Sequence, residues 1–184
     1  MRAFRRARGN DRGASAVEFA LLFPIFMILA LGTINVGTAF AKQLNVTQAA
    51  REASRFGSTL DYQAQVPTMT INQWLDAVDS AATQSAGSAN DPIGGYDYRC
   101  VALVTTDASS NVVAVKSNYK QTIGSGSPTY GTGSCPTTDW AHIPNTDYVQ
   151  VAMYRNSSLF ALFFNPTIKL DSVSTTPYEG KAVP

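Results

Sequence analysis

The chain opens on an arginine-rich polar stretch and then runs for 23 residues, 19–41, without a charge. Twelve of these 23 are Leu, Ile, Val or Phe. As a helix rising ~1.5 Å per residue the run reaches about 35 Å, enough to cross a hydrocarbon core of ~30 Å. At about −0.3 to −0.6 kcal/mol for each large apolar residue, the twelve favour insertion by roughly 4–7 kcal/mol. Buried helices of soluble domains rarely run so far without a charged face, so the pattern predicts a membrane span. Pro24, Gly32 and Gly37 would be costly in a soluble helix and are tolerated in lipid. Thr33, Gly37 and Ala41, spaced by four, form a small-residue face that together with Pro24 is read as the packing surface of the span.

Helical character continues past the apolar run. Residues 42–56 contain neither Pro nor Gly, and Gly57 reads as a C-terminal stop, so one rod over 14–56 is predicted, ~65 Å long. Ala49, Ala50, Ala53 and Ser54 keep that rod thin enough for close packing, while Glu52 and Arg55 read as solvated charges one turn apart. After a link at 61–68, Ile71, Trp74, Leu75, Val78 and Ala82 recur at helical spacing and Gly87 closes the pattern, with Trp74 read as core. Residues 85–95, SAGSANDPIGG, read as a loop.

Beyond it the period changes. Residues 98–105 and 112–117 are rich in β-branched side chains and are separated by a polar turn at 107–111. Residues 124–138, GSGSPTYGTGSCPTT, read as a flexible loop. Tyr148, Val149, Val151 and Tyr154 suggest a further strand, and 167–176, with Ile168, Leu170 and Val173, a last one. The run LFALFF at 159–164 is read as core in preference to a surface patch facing a partner or the membrane. Helices followed by strands argue an α+β fold, in which a small domain with one helix and an antiparallel sheet packs on the end of a long transmembrane helix.

Charge sharpens this picture. The net charge of +1 hides five Arg (Arg2, Arg5, Arg6, Arg8, Arg12) against Asp11 in the first 13 residues, and an excess of acids over bases in the rest. A nucleic-acid binder would carry its positive charge on the folded part, so no nucleic-acid partner is expected. The arginine cluster places the N-terminus in the cytoplasm and sends the domain across the membrane. The apolar run exceeds a secretory h-region and no A-x-A site follows it, so a conventional signal peptide is not expected. The expected organisation is a basic cytoplasmic leader (1–13), the helix and its extension (14–56), and an exported domain (57–184).

The junction reads Arg12-Gly13-Ala14-Ser15-Ala16-Val17-Glu18-Phe19. An acid at the start of a membrane helix costs several kcal/mol at depth unless it is paired, so Glu18 asks for a partner. A cut after Gly13 would give Ala14 a new ammonium group, able to pair with Glu18 of a neighbouring subunit. The sequence RGASAVEFALLFPIF, including Pro24, and the small-residue run TQAAREASRFG (47–57) resemble the TadE-like pseudopilins of the Flp/Tad type IVb pilus system. DYVQVAMYRN and IKLDSVSTTP echo that family's closing strands. The resemblance implies cleavage between Gly13 and Ala14 by a membrane prepilin peptidase, with Glu18 and Phe19 as recognition and assembly residues. It further implies a minor component in a bacterial inner membrane, whose partners are the peptidase, other pilins or pseudopilins, and lipid. The alternative is an uncleaved, single-span membrane-anchored binding domain.

Cys100 and Cys135 are the only cysteines. In an oxidising compartment beyond the membrane the pair reads as a disulfide, worth roughly 4 kcal/mol in the chain-entropy model for a loop of about 36 residues. Two free thiols or a metal site are the alternatives, although the spacing matches no zinc pattern and His142 is the sole imidazole. A hydrolase would have to use His142 with Asp139 or Asp147, yet no G-x-S-x-G elbow occurs, and the Gly-rich loop lacks a following G-K-[ST]. A non-enzyme without cofactor or metal is expected.

Overall fold

The computed structural model describes residues 11–61, 69–87, 94–136, 144–158 and 166–180, without the side chains of 11, 12 and 14. Helix α1 spans Asp11–Thr59 and α2 spans Ile71–Ala86. Strands β1 (Tyr98–Thr105), β2 (Asn118–Ile123), β3 (Thr129–Thr132), β4 (Asp147–Ser158) and β5 (Thr167–Pro177) follow. They form one antiparallel sheet in the order β3-β2-β1-β4-β5. The architecture is α+β, as the change of period predicts.

Helix α1 has two unlike halves. Residues 15–34 are exposed throughout, and the helix is long and apolar enough to cross a membrane. Burial begins at Ala39 and becomes complete at Val46, Ala49, Ala50 and Ala53. These small side chains bring the sheet close, and Ser54 adds a hydroxyl pair with Ser174 at 2.7 Å and accepts from Thr176 at 3.0 Å. Gly57 does not stop the helix, which continues to Thr59. It sits instead at the tightest point of the core: a Cβ there would lie 3.0 Å from Val149 Cγ1 and Val78 Cγ2, and 3.2 Å from Trp74 Cζ2. Glycine is needed at 57 for close approach rather than for termination.

Helix α2 begins at a reciprocal cap. Thr70 Oγ1 accepts from the Gln73 amide and Gln73 Oε1 accepts from the Thr70 amide. Gly87 ends the helix at φ 81° and ψ 178°, a positive-φ conformation open to glycine. The predicted stripe is core: Trp74, Leu75, Val78 and Ala82 are fully buried. The Trp74 indole donates to the Leu60 carbonyl at 2.8 Å, which ties α2 to the end of α1. Ser85 donates to Glu52 at 2.5 Å, a second link between the helices on the solvent side.

Alternation along the strands gives the sheet two apolar faces. Val101, Leu103, Val149, Val151 and Met153 meet the helices. Tyr98, Cys100, Ala102, Val104, Tyr148 and Ala152 make a second cluster on the opposite face, where Cys100 is bonded to Cys135. The expected disulfide thus pins the segment after β3 across the central strand.

Two expectations about the strands are corrected. Residues 112–117 form an isolated bridge from Val112 to Thr106 and then a turn, not a strand, and Val115 is 91% exposed. The strand paired with β1 is the next segment, β2, held in place by Ser117, whose hydroxyl accepts from the Thr105 amide at 2.9 Å. The stretch 124–138 is not all loop: within it β3 pairs with β2, and Gly131 lies against the Tyr119 ring, where no Cβ would fit. The turn at 107–111 forms as expected, with Asp107 accepting from the Ser109 and Asn111 amides. The link at 62–68, the loop residues 88–93, the segment with Asp139 and His142, and LFALFF at 159–164 lie outside the described residues.

Candidate assembly site

The junction residues lie on the exposed half of α1. Gly13, Glu18 and Phe19 are all exposed; Ala14 is helical but its side chain is outside the described set. The Phe19 ring lies 5.6 Å from that of Phe23, one turn on. Pro24 sits inside the helix, which runs on without a break. Its missing amide leaves the Ala20 carbonyl without a helical donor.

Glycine in a helix costs about 0.5–1 kcal/mol relative to alanine, so each one asks for a reason. Gly57 has its reason inside the fold. Among the described residues, a Cβ at Gly13, Gly32 or Gly37 would meet nothing within 4 Å. Gly32 and Gly37 instead open a shallow apolar groove of about 500 Å³, lined also by Ile28, Leu29, Thr33 and Val36. Thr33 and Thr38 satisfy their hydroxyls on the helix itself, donating to the Ala30 and Asn35 carbonyls at 2.8 and 2.9 Å. Such bonding makes a hydroxyl tolerable in lipid. Thr33 and Gly37 are therefore brought together as the spacing predicts, whereas Ala41 is half-buried, outside the groove.

A second constellation, missed in the sequence, fastens the domain together. Asp79, on the buried stripe of α2, takes Arg99 Nε on one oxygen and Arg99 Nη2 at 2.8 Å on the other. Lys120 Nζ joins Asp79 at 2.8 Å and Asp76 at 2.7 Å, and the Tyr130 hydroxyl donates to Asp76 at 2.6 Å. Arg99 also lies over the Tyr96 ring, 4.3 Å from its centroid. Two acids of α2 thereby reach β1, β2 and β3 in a forked, charge-balanced clamp. The signal was present: an acid four residues after Leu75, on the same face, has to be paired once buried.

The clamp sets its own protonation. Burial pushes the Asp76 carboxyl up, but hydrogen bonds from Lys120 and Tyr130, with the Lys120 charge, outweigh it and hold the group below its ordinary range. Burial lowers Lys120, and its bonds to Asp76 and Asp79 outweigh that and raise it. Asp76 therefore stabilises the fold above about pH 4, and that share is lost as pH falls through its depressed value. Lys120 contributes fully below about pH 10.4, and its share is lost as pH rises through its raised value. The expected result is a steeper acid-side fall in melting temperature for the wild type than for Asp76→Asn. Parallel curves from thermal unfolding at stepped pH would contradict it.

Among the described residues no three His, Cys, Asp or Glu side chains gather where they could hold a metal. The open cleft of about 430 Å³ beside Thr105, Asn145 and Tyr178 is lined, among the described residues, by one carboxylate, Asp147.

No curated protein and no solved structure gives a significant match to the chain. Residues 13–55 match the family model described as TadE-like protein. That match begins at the junction glycine and ends among the small residues that seat the sheet, so the segment carrying both the apolar run and its docking stripe is similar to the TadE-like family.

Proposed function

We propose that the chain is a minor pseudopilin of a Flp/Tad type IVb pilus system, a structural component rather than an enzyme. In this reading it is inserted as a single-pass precursor in a bacterial inner membrane, leader inside and domain outside. A prepilin peptidase removes residues 1–13, and the freed helix then packs among the helices of other pilins.

The observation that carries the reading is the contrast between glycines. Gly57 is filled by its own fold, while an added Cβ at Gly13, Gly32 or Gly37 would meet nothing within 4 Å among the described residues. An open backbone suits a protease at Gly13, and close helix approach suits a partner at Gly32 and Gly37. The leader arginines support the orientation, and the family match supports the association with Tad pili. The uncleaved alternative has one observation in its favour: α1 runs unbroken from Asp11 through the junction.

A photo-crosslinker at Val36, in the groove, should capture another pilin chain in cells assembling pili. The same probe at Ile34, exposed but outside the groove, should capture less. Equal capture from both positions, or none from either, would count against helix packing through this face.

A further inference from the structure

The domain begins where the membrane run ends, with no spacer between them. Ala39, within the uncharged run, is already only 8% exposed. Lys42 donates to the Ser157 hydroxyl at 3.2 Å, and Gln43 donates to the Asp171 carbonyl at 2.9 Å. Strand β4 runs towards this end, since Thr105 of β1 pairs with Asp147 and Tyr98 with Tyr154. Past Tyr154, β4 and β5 continue alone as a two-stranded arm, Ser158 pairing with Thr167, alongside the first residues beyond the span. A run of 23 residues reaches about 35 Å against a core of ~30 Å, leaving roughly three residues to spare. The arm therefore lies at headgroup level.

Its chemistry fits that level. Beyond the Tyr154–Asp171 pair the two strands carry Arg155 and Lys169, and Lys42 stands beside them. The Asp97 carboxylate accepts from the Asn156 amide at 2.6 Å, which leaves cations in excess among the described residues. Lys169 lies over the Tyr154 ring, 4.4 Å from the centroid, an exposed ammonium on an aromatic body. Basic groups beside an aromatic are the side chains that settle at the membrane–water interface, and anionic lipid attracts them.

We propose that the β4–β5 arm docks on the headgroups of an anionic bilayer, holding the domain down on the membrane before assembly. The inference rests on the reading of residues 19–41 as the span. The test uses the full chain, disulfide intact, in phosphatidylcholine vesicles with and without phosphatidylglycerol. An environment-sensitive fluorophore is placed by Ser158→Cys at the arm, by Ala108→Cys at the far turn, or by Ile28→Cys in the span, and quenched by lipids spin-labelled at shallow or deep positions.

Docking predicts shallow-probe quenching at 158 and none at 108, stronger in anionic vesicles. Lys169→Gln, an exposed change that leaves the core untouched, should lower the docking equilibrium constant about fivefold, the loss of one cation near the surface. A label at 158 as unquenched as that at 108, with the span label quenched by deep probes, overturns the docking alone. Quenching at 158 that ignores both phosphatidylglycerol and Lys169→Gln overturns the charge recognition. An unquenched label at 28 overturns the spanning reading and the docking with it.

Discussion

Replacing Asp79 with alanine lowers the stability of the α+β domain by about 3–5 kcal/mol, the cost of leaving buried cations without their counter-charge. The side chains of Asp79 and Arg99 are 6% and 8% exposed, so water cannot take over the lost bonds. The substitution also frees Lys120 from one of its two acids. Asp76→Ala should cost far less, because the Asp76 side chain is 48% exposed and its partner keeps Asp79. The double change Asp79→Leu with Arg99→Met should recover much of the single-variant loss, since removing both charges leaves nothing buried and unpaired. Urea unfolding of the detergent-solubilised chain, followed by near-ultraviolet circular dichroism, measures all of these. A loss below about 1 kcal/mol for Asp79→Ala would show the clamp to be solvated rather than structural.

Glu18→Ala, in contrast, should leave folding and membrane insertion unchanged and abolish the chain's incorporation into pili. Glu18 is exposed on α1, 21 residues before the first buried position, so nothing in the domain depends on it. In lipid an unpaired carboxylate is expensive, so its removal does not impair insertion. Under the proposal its partner is the Ala14 ammonium of a neighbouring subunit, created by the cut after Gly13. Glu18→Gln keeps the shape and most of the hydrogen-bonding capacity while removing the charge, so it should fail as well. Normal pilus formation in either variant, with the chain present in the sheared fibres, would remove Glu18 from the assembly mechanism.

The exposed half of α1 was legible because its length, its uncharged run and the sizes of its residues are all displayed by a linear sequence. The Trp74 stripe was legible because it is buried at helical spacing, and strand β1, buried along nearly its whole length, because it is rich in β-branched residues. The Cys100–Cys135 pairing followed from the even count, read with the expectation of an oxidising compartment. What escaped depends on partners distant in sequence. The segment at 112–117 has strand-like residues, yet Val115 faces solvent, while the true strand β2 is polar because Lys120 serves the clamp. Strand β3 hides in a Gly/Ser-rich stretch because an edge strand with Gly131 under a tyrosine ring carries no apolar signature. Gly57 looked like a stop because local rules assign glycine to helix ends, and only the sheet packed across it explains its place. Asp79 and Arg99 stand 20 residues apart in sequence, and only the fold brings them into contact.

The central claim is that the N-terminal helix is a processed assembly element, and the intact mass of the membrane-extracted chain tests it most directly. Extraction from cells with and without the prepilin peptidase, under non-reducing conditions, gives both the N-terminus and the state of the cysteines. The account predicts a species beginning at Ala14 that appears only with the peptidase, two hydrogens lighter than the fully reduced chain. A chain that keeps its leader arginines in the presence of an active peptidase would contradict the account.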